Sequence, residues 1–178
     1  MPKEHNPPIT LRYHGLFDFD GMYAAVIDWA KNYGYLWNET LYKHKVPSPR
    51  GAKQELTWIM NKNVTEYISY FIIIKIRMWD LTEVVVDMGG RKKALSSARI
   101  EMTLDYNVTP DWQKKFKSDN KWIKKMGKFY KDVVFGKRLD SIYGDQLHYR
   151  VLNLHSLLKQ YFDMQSKKYT YKGYLGEG

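Results

Sequence analysis

The chain has 178 residues, with 29 lysines and arginines against 19 aspartates and glutamates, and a net charge of +10 at pH 7. It contains no cysteine, which excludes disulfides, thiolate catalysis and cysteine-based zinc sites. No apolar run approaches the roughly 20 residues of a membrane-spanning helix, and no secretory signal opens the chain, so we expect a cytoplasmic protein.

The first elements are a strand and a helix. Ile9 to Phe17 alternates apolar and polar residues and predicts a strand, after which Asp18 or Asp20 can cap a helix. The apolar residues that follow have helical spacing: Met22, Ala25, Val26, Trp29 and Tyr33. Gly34 stands where a helix stop is expected. This helix is predicted to pack on a sheet.

The stretch from Val64 to Asp87 is rich in β-branched and aromatic residues, without glycine or proline, and predicts a long strand. One parity is almost wholly apolar: Tyr70, Ile72, Ile74, Ile76, Met78, Val84 and Val86. The other parity is mixed and includes Lys75 and Arg77. The apolar parity is lost near Asp80, where we expect a bend. The pattern indicates the central strand of a curved antiparallel sheet.

Three more strands complete a predicted four-strand meander. They are expected at Tyr35 to Val46, at Lys53 to Met60 and around Ala98 to Tyr106. Turns are predicted at Asn61 to Asn63 and at Gly89-Gly90. The fold class is therefore α+β, with a curved antiparallel sheet in the order strand, helix, four strands, packed against a C-terminal helical segment.

The charge is concentrated in the last part of the chain. From Pro110 onward, the chain contains 15 lysines and arginines but only 7 acidic residues. Trp112 and Phe116 are expected to start a basic helical segment there. The candidate contacts for an anionic partner are the lysines and tryptophans of this segment and two cations of the central strand: Lys114, Lys115, Lys121, Lys124, Lys125, Lys128, Trp112, Trp122, Lys75 and Arg77. Lysines interleaved with tryptophans favour a non-catalytic protein that binds RNA.

The last helix supports an alternative. Its apolar residues step by four and three, and together with isoleucines of the central strand they are the candidate lining of a ligand pocket: Leu147, Val151, Leu154, Leu158, Ile72, Ile74 and Ile76. The element order is similar to the helix-grip folds of the START and Bet v 1 type. That resemblance implies a carrier of an apolar or lipid-like ligand.

A second alternative is a structural protein that self-assembles through exposed aromatics or a bare sheet edge. Catalysis ranks last, because no GxSxG, HExxH or glycine-rich phosphate loop is present. His148 and His155 lie two helical turns apart, too far for one metal ion. The sequence thus predicts no catalytic residue, no metal site and no cofactor.

One hairpin carries a family resemblance. The segments Ile76 to Val84, Gly89 to Lys93 and Ala98 to Ile100 resemble small archaeal proteins of the DPANN type that have no known activity. The resemblance implies a cytoplasmic archaeal protein with a sheet and a helical end. We expect one domain, with an irregular arm (1–8), a sheet with one helix (9–109), a basic helical part (110–165) and a flexible tail (166–178).

Overall fold

The computed structural model describes residues 7–49, 51–87, 92–113, 121–129 and 139–162. The chain forms β1 (Ile9–Phe17), α1 (Phe19–Asn32), β2 (Leu36–Ser48), β3 (Gly51–Asn63), β4 (Ile68–Asp87), β5 (Lys92–Pro110), α2 (Lys121–Phe129), a π-helical turn (Leu139–Gly144) and α3 (Asp145–Tyr161). The predicted tail and most of the predicted arm lie outside the described residues. None of the described helices has both the length and the apolar character needed to cross a bilayer.

The five strands form one antiparallel sheet in the order β1-β5-β4-β3-β2. The predicted α+β class is confirmed, as are the meander and the central place of β4. The predicted bend is confirmed as well. Asp80 has a φ of 58°, and the pairing of β4 with β5 shifts register between Trp79 and Thr82. A bulge of this kind increases the local twist and bends the strand.

The predicted turn at Asn61 to Asn63 is wrong. Those three residues belong to β3 and pair with residues 69 to 71 of β4. The chain reverses after them instead, where the amides of Val64 and Thr65 donate to the Ile68 carbonyl at 2.9 and 3.1 Å. The Thr65 hydroxyl in turn accepts from the Ile68 amide at 2.9 Å. By accepting from the Ile68 amide, the Thr65 hydroxyl stabilises a reversal that begins three residues later than the asparagines suggest.

The core lies between one face of the sheet and the helices α1 and α3. Asp18 caps α1 by accepting from the Gly21 amide at 3.0 Å. Helix α1 buries Met22, Val26, Trp29 and Ala30, while α3 buries Leu147, Val151, Leu154 and Leu158. These side chains form a single apolar cluster with the inward parity of β3, β4 and β5. The parity that the sequence marks as apolar in β4 is the buried one from Tyr70 to Met78.

The other face of the sheet carries many charged and polar side chains, with some apolar ones among them. One row alternates in charge across all five strands, in the order Lys43, Glu55, Arg77, Glu101 and Arg12. Opposite charges on neighbouring strands attract one another, so this face is largely neutralised along that row.

Candidate anion-binding surface

Helix α2 has the sequence Lys-Trp-Ile-Lys-Lys-Met-Gly-Lys-Phe and contains no acidic residue. At about 100° per residue, the backbone positions of its four lysines fall within an arc of about 100°. Three large apolar residues fall on an adjacent arc: Trp122, Met126 and Phe129. We call these three residues the α2 stripe. The helix is therefore divided lengthwise into a basic side and an apolar side.

The α2 stripe is exposed. The accessible fractions of Trp122, Met126 and Phe129 are 75%, 59% and 60%. An amphipathic helix of a globular domain ordinarily turns its apolar side to the core, as α1 and α3 do here. The α2 stripe instead presents its apolar area to solvent. Exposed apolar area framed by charge is typical of a surface that meets a partner.

Lysines flank the stripe. Lys121, Lys125 and Lys128 are exposed in α2, where sequence reasoning placed them. Lys124 also belongs to α2, although its side chain lies outside the described residues. The predicted contacts Lys114 and Lys115 fall wholly outside them.

Trp112 has a different place from the one predicted. It lies in a turn directly after β5 and not in a helix, so the helix start predicted there is wrong for this residue. Its indole Nε1 donates to the Thr65 carbonyl at 3.0 Å, which ties the end of β5 to the β3–β4 turn. Trp112 therefore supports the fold and is not part of α2.

Lys75 and Arg77 lie on the outer face of β4, and both are exposed. Arg77 stands in register between Glu55 and Glu101, and Lys75 stands between two threonines. Carboxylates on both sides lower the attraction of Arg77 for an external anion. Of the candidate contacts, the helical lysines therefore form the stronger positive surface.

A shallow depression of about 370 Å³ opens on the same outer face, beside Trp79, Arg12 and Arg99. Sequence reasoning did not find it, since it joins β1, β4 and β5. Both arginines are already engaged. Arg12 Nε donates to Glu101 at 2.8 Å, and Arg99 Nε donates to Asp80 at 2.8 Å. The depression therefore offers little unbalanced charge to a ligand.

The predicted pocket residues all lie in the core. Leu147, Val151, Leu154, Leu158, Ile72, Ile74 and Ile76 have no accessible surface. A cavity wide enough for a water molecule would expose the side chains that border it. These seven side chains border no such space, and they give the carrier hypothesis no support.

No protein-family model matches the chain, and no curated protein matches it. Among the described residues, the exposed stripe and lysines of α2 suggest a function most directly.

Proposed function

We propose that the protein is a non-catalytic binding protein whose basic C-terminal part contacts an anionic partner, and that this partner is the surface of an anionic membrane. One observation carries the proposal: the α2 stripe is exposed beside a row of lysines. An anionic bilayer offers apolar chains and negative phosphates at the same boundary. A helix lying in that boundary satisfies its apolar side and its basic side together.

The expected binding free energies favour attachment through the basic side and the apolar side of α2 together. A lysine near an anionic bilayer contributes about 1 kcal/mol, and burial of a large apolar side chain contributes about 1.5–3 kcal/mol. Three exposed lysines alone would thus give weak attachment, as would three partly inserted apolar side chains alone. Both together reach the range in which peripheral proteins bind measurably. Stable attachment through two modest signals is usual at membranes.

RNA, the partner favoured by the sequence, is the alternative. Lysines can contact phosphates while Trp122 and Phe129 stack on bases. The geometry of α2 favours RNA less than an anionic membrane for two reasons. The lysine arc and the α2 stripe point in different directions, and Met126, which has no aromatic ring, lies between the two aromatic residues on that side.

Sedimentation with vesicles tests the proposal. We expect binding to vesicles that mix phosphatidylcholine with phosphatidylglycerol, and none to pure phosphatidylcholine. The variant Lys121→Gln/Lys125→Gln/Lys128→Gln should lose roughly a hundredfold in affinity, from about 1 kcal/mol for each lysine. A matched control, Lys43→Gln/Lys45→Gln/Lys75→Gln, removes the same charge from exposed positions of the sheet and should lose less than about threefold.

Equal losses in the two variants would contradict the proposal, because they would show diffuse attraction to a basic protein. The same variants should be measured against single-stranded RNA in the same buffer. Tighter binding to RNA than to vesicles, lost in the α2 variant alone, would assign the helix to RNA. Self-association that rises with concentration in light scattering, and that disappears in a Met126→Ser/Phe129→Ser variant, would instead favour the structural alternative.

A further inference from the structure

The depression beside Trp79 lies on the outer face of the sheet and shares no residue with α2. Its volume of about 370 Å³ lies within the range of small-molecule sites, which begins at about 300 Å³. Two registered rows of side chains border it: His14, Arg99 and Trp79 in one row, Arg12 and Glu101 in the next. Ile100 lies between the rows and is buried on the core face, so its backbone forms the floor.

A bulge in β4 shapes this depression. Asp80, directly after Trp79, has a φ of 58°, and a residue other than glycine keeps such a conformation only when its surroundings fix it. Gly51 of β3 packs against this point, since a Cβ there would lie 2.6 Å from the Asp80 carbonyl carbon. The Asp80 carboxylate accepts from Arg99 Nε at 2.8 Å, so the bulge also orients a guanidinium at the rim. Bulges re-aim neighbouring side chains and are common beside active sites.

Trp79 supplies an aromatic surface to the depression. Its indole is partly exposed, whereas that of Trp58 is buried in the core. The ammonium of Lys53 lies 5.9 Å from the centre of the Trp79 ring. Lys53 belongs to β3, and β3 and β5 lie on opposite sides of β4, so the cation and the depression contact the indole from different sides. An accessible aromatic face of this kind stacks on planar rings.

The polar groups of the rim include both donors and acceptors. Each arginine is bound to a carboxylate through Nε, Arg12 to Glu101 and Arg99 to Asp80, at 2.8 Å in both cases. A guanidinium bound through Nε keeps its two Nη groups as donors to further acceptors. The two arginines and the two carboxylates balance in charge. The rim is therefore better matched to a neutral ring that carries donors and acceptors than to a bare phosphate.

We propose that this depression binds a purine base, with guanine preferred. The indole of Trp79 stacks on the ring, a contact that every base can make. The Nη groups of Arg12 and Arg99 donate to guanine O6 and N7, the acceptor pair that fits the planar fork of arginine. The Glu101 carboxylate accepts from an N–H of the base. A bare phosphate would use neither the indole nor the carboxylate.

Titration calorimetry of the full chain with guanosine 5′-monophosphate (GMP) tests this site. We expect saturable binding of GMP, weaker binding of adenosine 5′-monophosphate (AMP), and at least tenfold weaker binding of ribose 5-phosphate, which carries a phosphate but no base. Trp79→Ala should weaken GMP binding about fivefold to a hundredfold, as the loss of one base–aromatic stack does. Arg12→Gln/Arg99→Gln should remove the preference for GMP over AMP, because the fork that reads O6 and N7 is lost.

Two matched controls should bind GMP as the wild type does. Trp122→Ala removes an exposed indole from α2, and Lys75→Gln/Arg77→Gln removes two exposed cations from the outer face outside the depression. Equal affinity for GMP and ribose 5-phosphate would overturn the site, because the phosphate alone would then account for binding. So would wild-type affinity for GMP in Trp79→Ala. Should that variant fail to fold, Arg12→Gln/Arg99→Gln decides by the same comparison.

The base can come from a free nucleotide or from an RNA strand. Saturable binding of GMP assigns the site to a free nucleotide. Binding confined to a uridine hexamer that carries one guanosine, and absent from plain hexauridylate, assigns the site to guanine within RNA. No response to GMP or to the hexamer contradicts the site. Because the depression shares no residue with α2, loss of vesicle binding in the α2 variants leaves this outcome unaffected.

Discussion

Trp29 and Asn153 join the two helices that cover the sheet: the indole Nε1 of Trp29 donates to Asn153 Oδ1 at 2.8 Å. This bond is a direct polar link between α1 and α3. We expect Asn153→Ala to lower the free energy of unfolding by about 1 kcal/mol, the usual net contribution of one such hydrogen bond. Urea unfolding measures it. Ser156→Ala, an exposed change on the same helix, should have an effect within about 0.5 kcal/mol, and an equal loss in both variants would contradict the assignment.

Asp18 serves two partners, the Gly21 amide at the start of α1 and the Lys93 ammonium at 2.6 Å. We expect Asp18→Ala to cost about 1 kcal/mol of unfolding free energy, as the loss of a helix cap does. Asp18→Asn keeps an acceptor for Gly21 and loses only the ion pair. Because both partners are partly exposed, that loss should stay below about 1 kcal/mol. Chemical unfolding of both variants tests whether Asp18→Ala loses more unfolding free energy than Asp18→Asn.

The same carboxylate gives a pH dependence with a definite sign. The hydrogen bond from Lys93, followed by that from Gly21, holds the pKa of Asp18 below its ordinary 3.8. A lowered pKa in the folded state stabilises the fold above the unfolded pKa, and this contribution disappears as the pH falls through the folded pKa. The stability difference between wild type and Asp18→Asn should therefore be constant near neutral pH and shrink below about pH 4. A difference that grows on acidification would contradict this assignment.

Substitutions of Ile74 and Lys75, adjacent residues of β4, compare the stability contributions of the two faces of the sheet. Ile74 is fully buried, while Lys75 is exposed on the outer face. Ile74→Ala should lower the free energy of unfolding by about 2–5 kcal/mol, through lost burial and the cavity left behind. Lys75→Ala should change it by less than about 0.5 kcal/mol. Similar losses of unfolding free energy at the two positions would mean that both faces of the sheet are buried, and would contradict this assignment.

Much of the fold follows from local pattern. The alternation in β4 identified its buried face, and the break in that pattern located the bulge at Asp80. The β3–β4 reversal was placed too early, because asparagines are common in turns and the hydroxyl of Thr65 gives no periodic signal. The place of β1 beside β5 depends on contacts about ninety residues apart in the chain, which no local pattern encodes.

The α2 surface shows the same contrast between what a local pattern predicts and what depends on the folded structure. The lysines and aromatic residues of α2 were visible in the sequence because they lie within three turns of one helix. Their exposure was not, since an amphipathic pattern predicts burial and attachment to a partner equally well.

The most direct measurement of the central claim is vesicle sedimentation of Met126→Ser/Phe129→Ser, a variant that keeps every lysine of α2. Circular dichroism and thermal unfolding serve as the control that the domain is intact, which the exposure of both side chains leads us to expect. We predict that binding to anionic vesicles falls at least tenfold although the charge is unchanged, because the apolar side of the helix no longer inserts. Unchanged binding would show that the lysines act alone, and it would contradict membrane attachment through the α2 stripe.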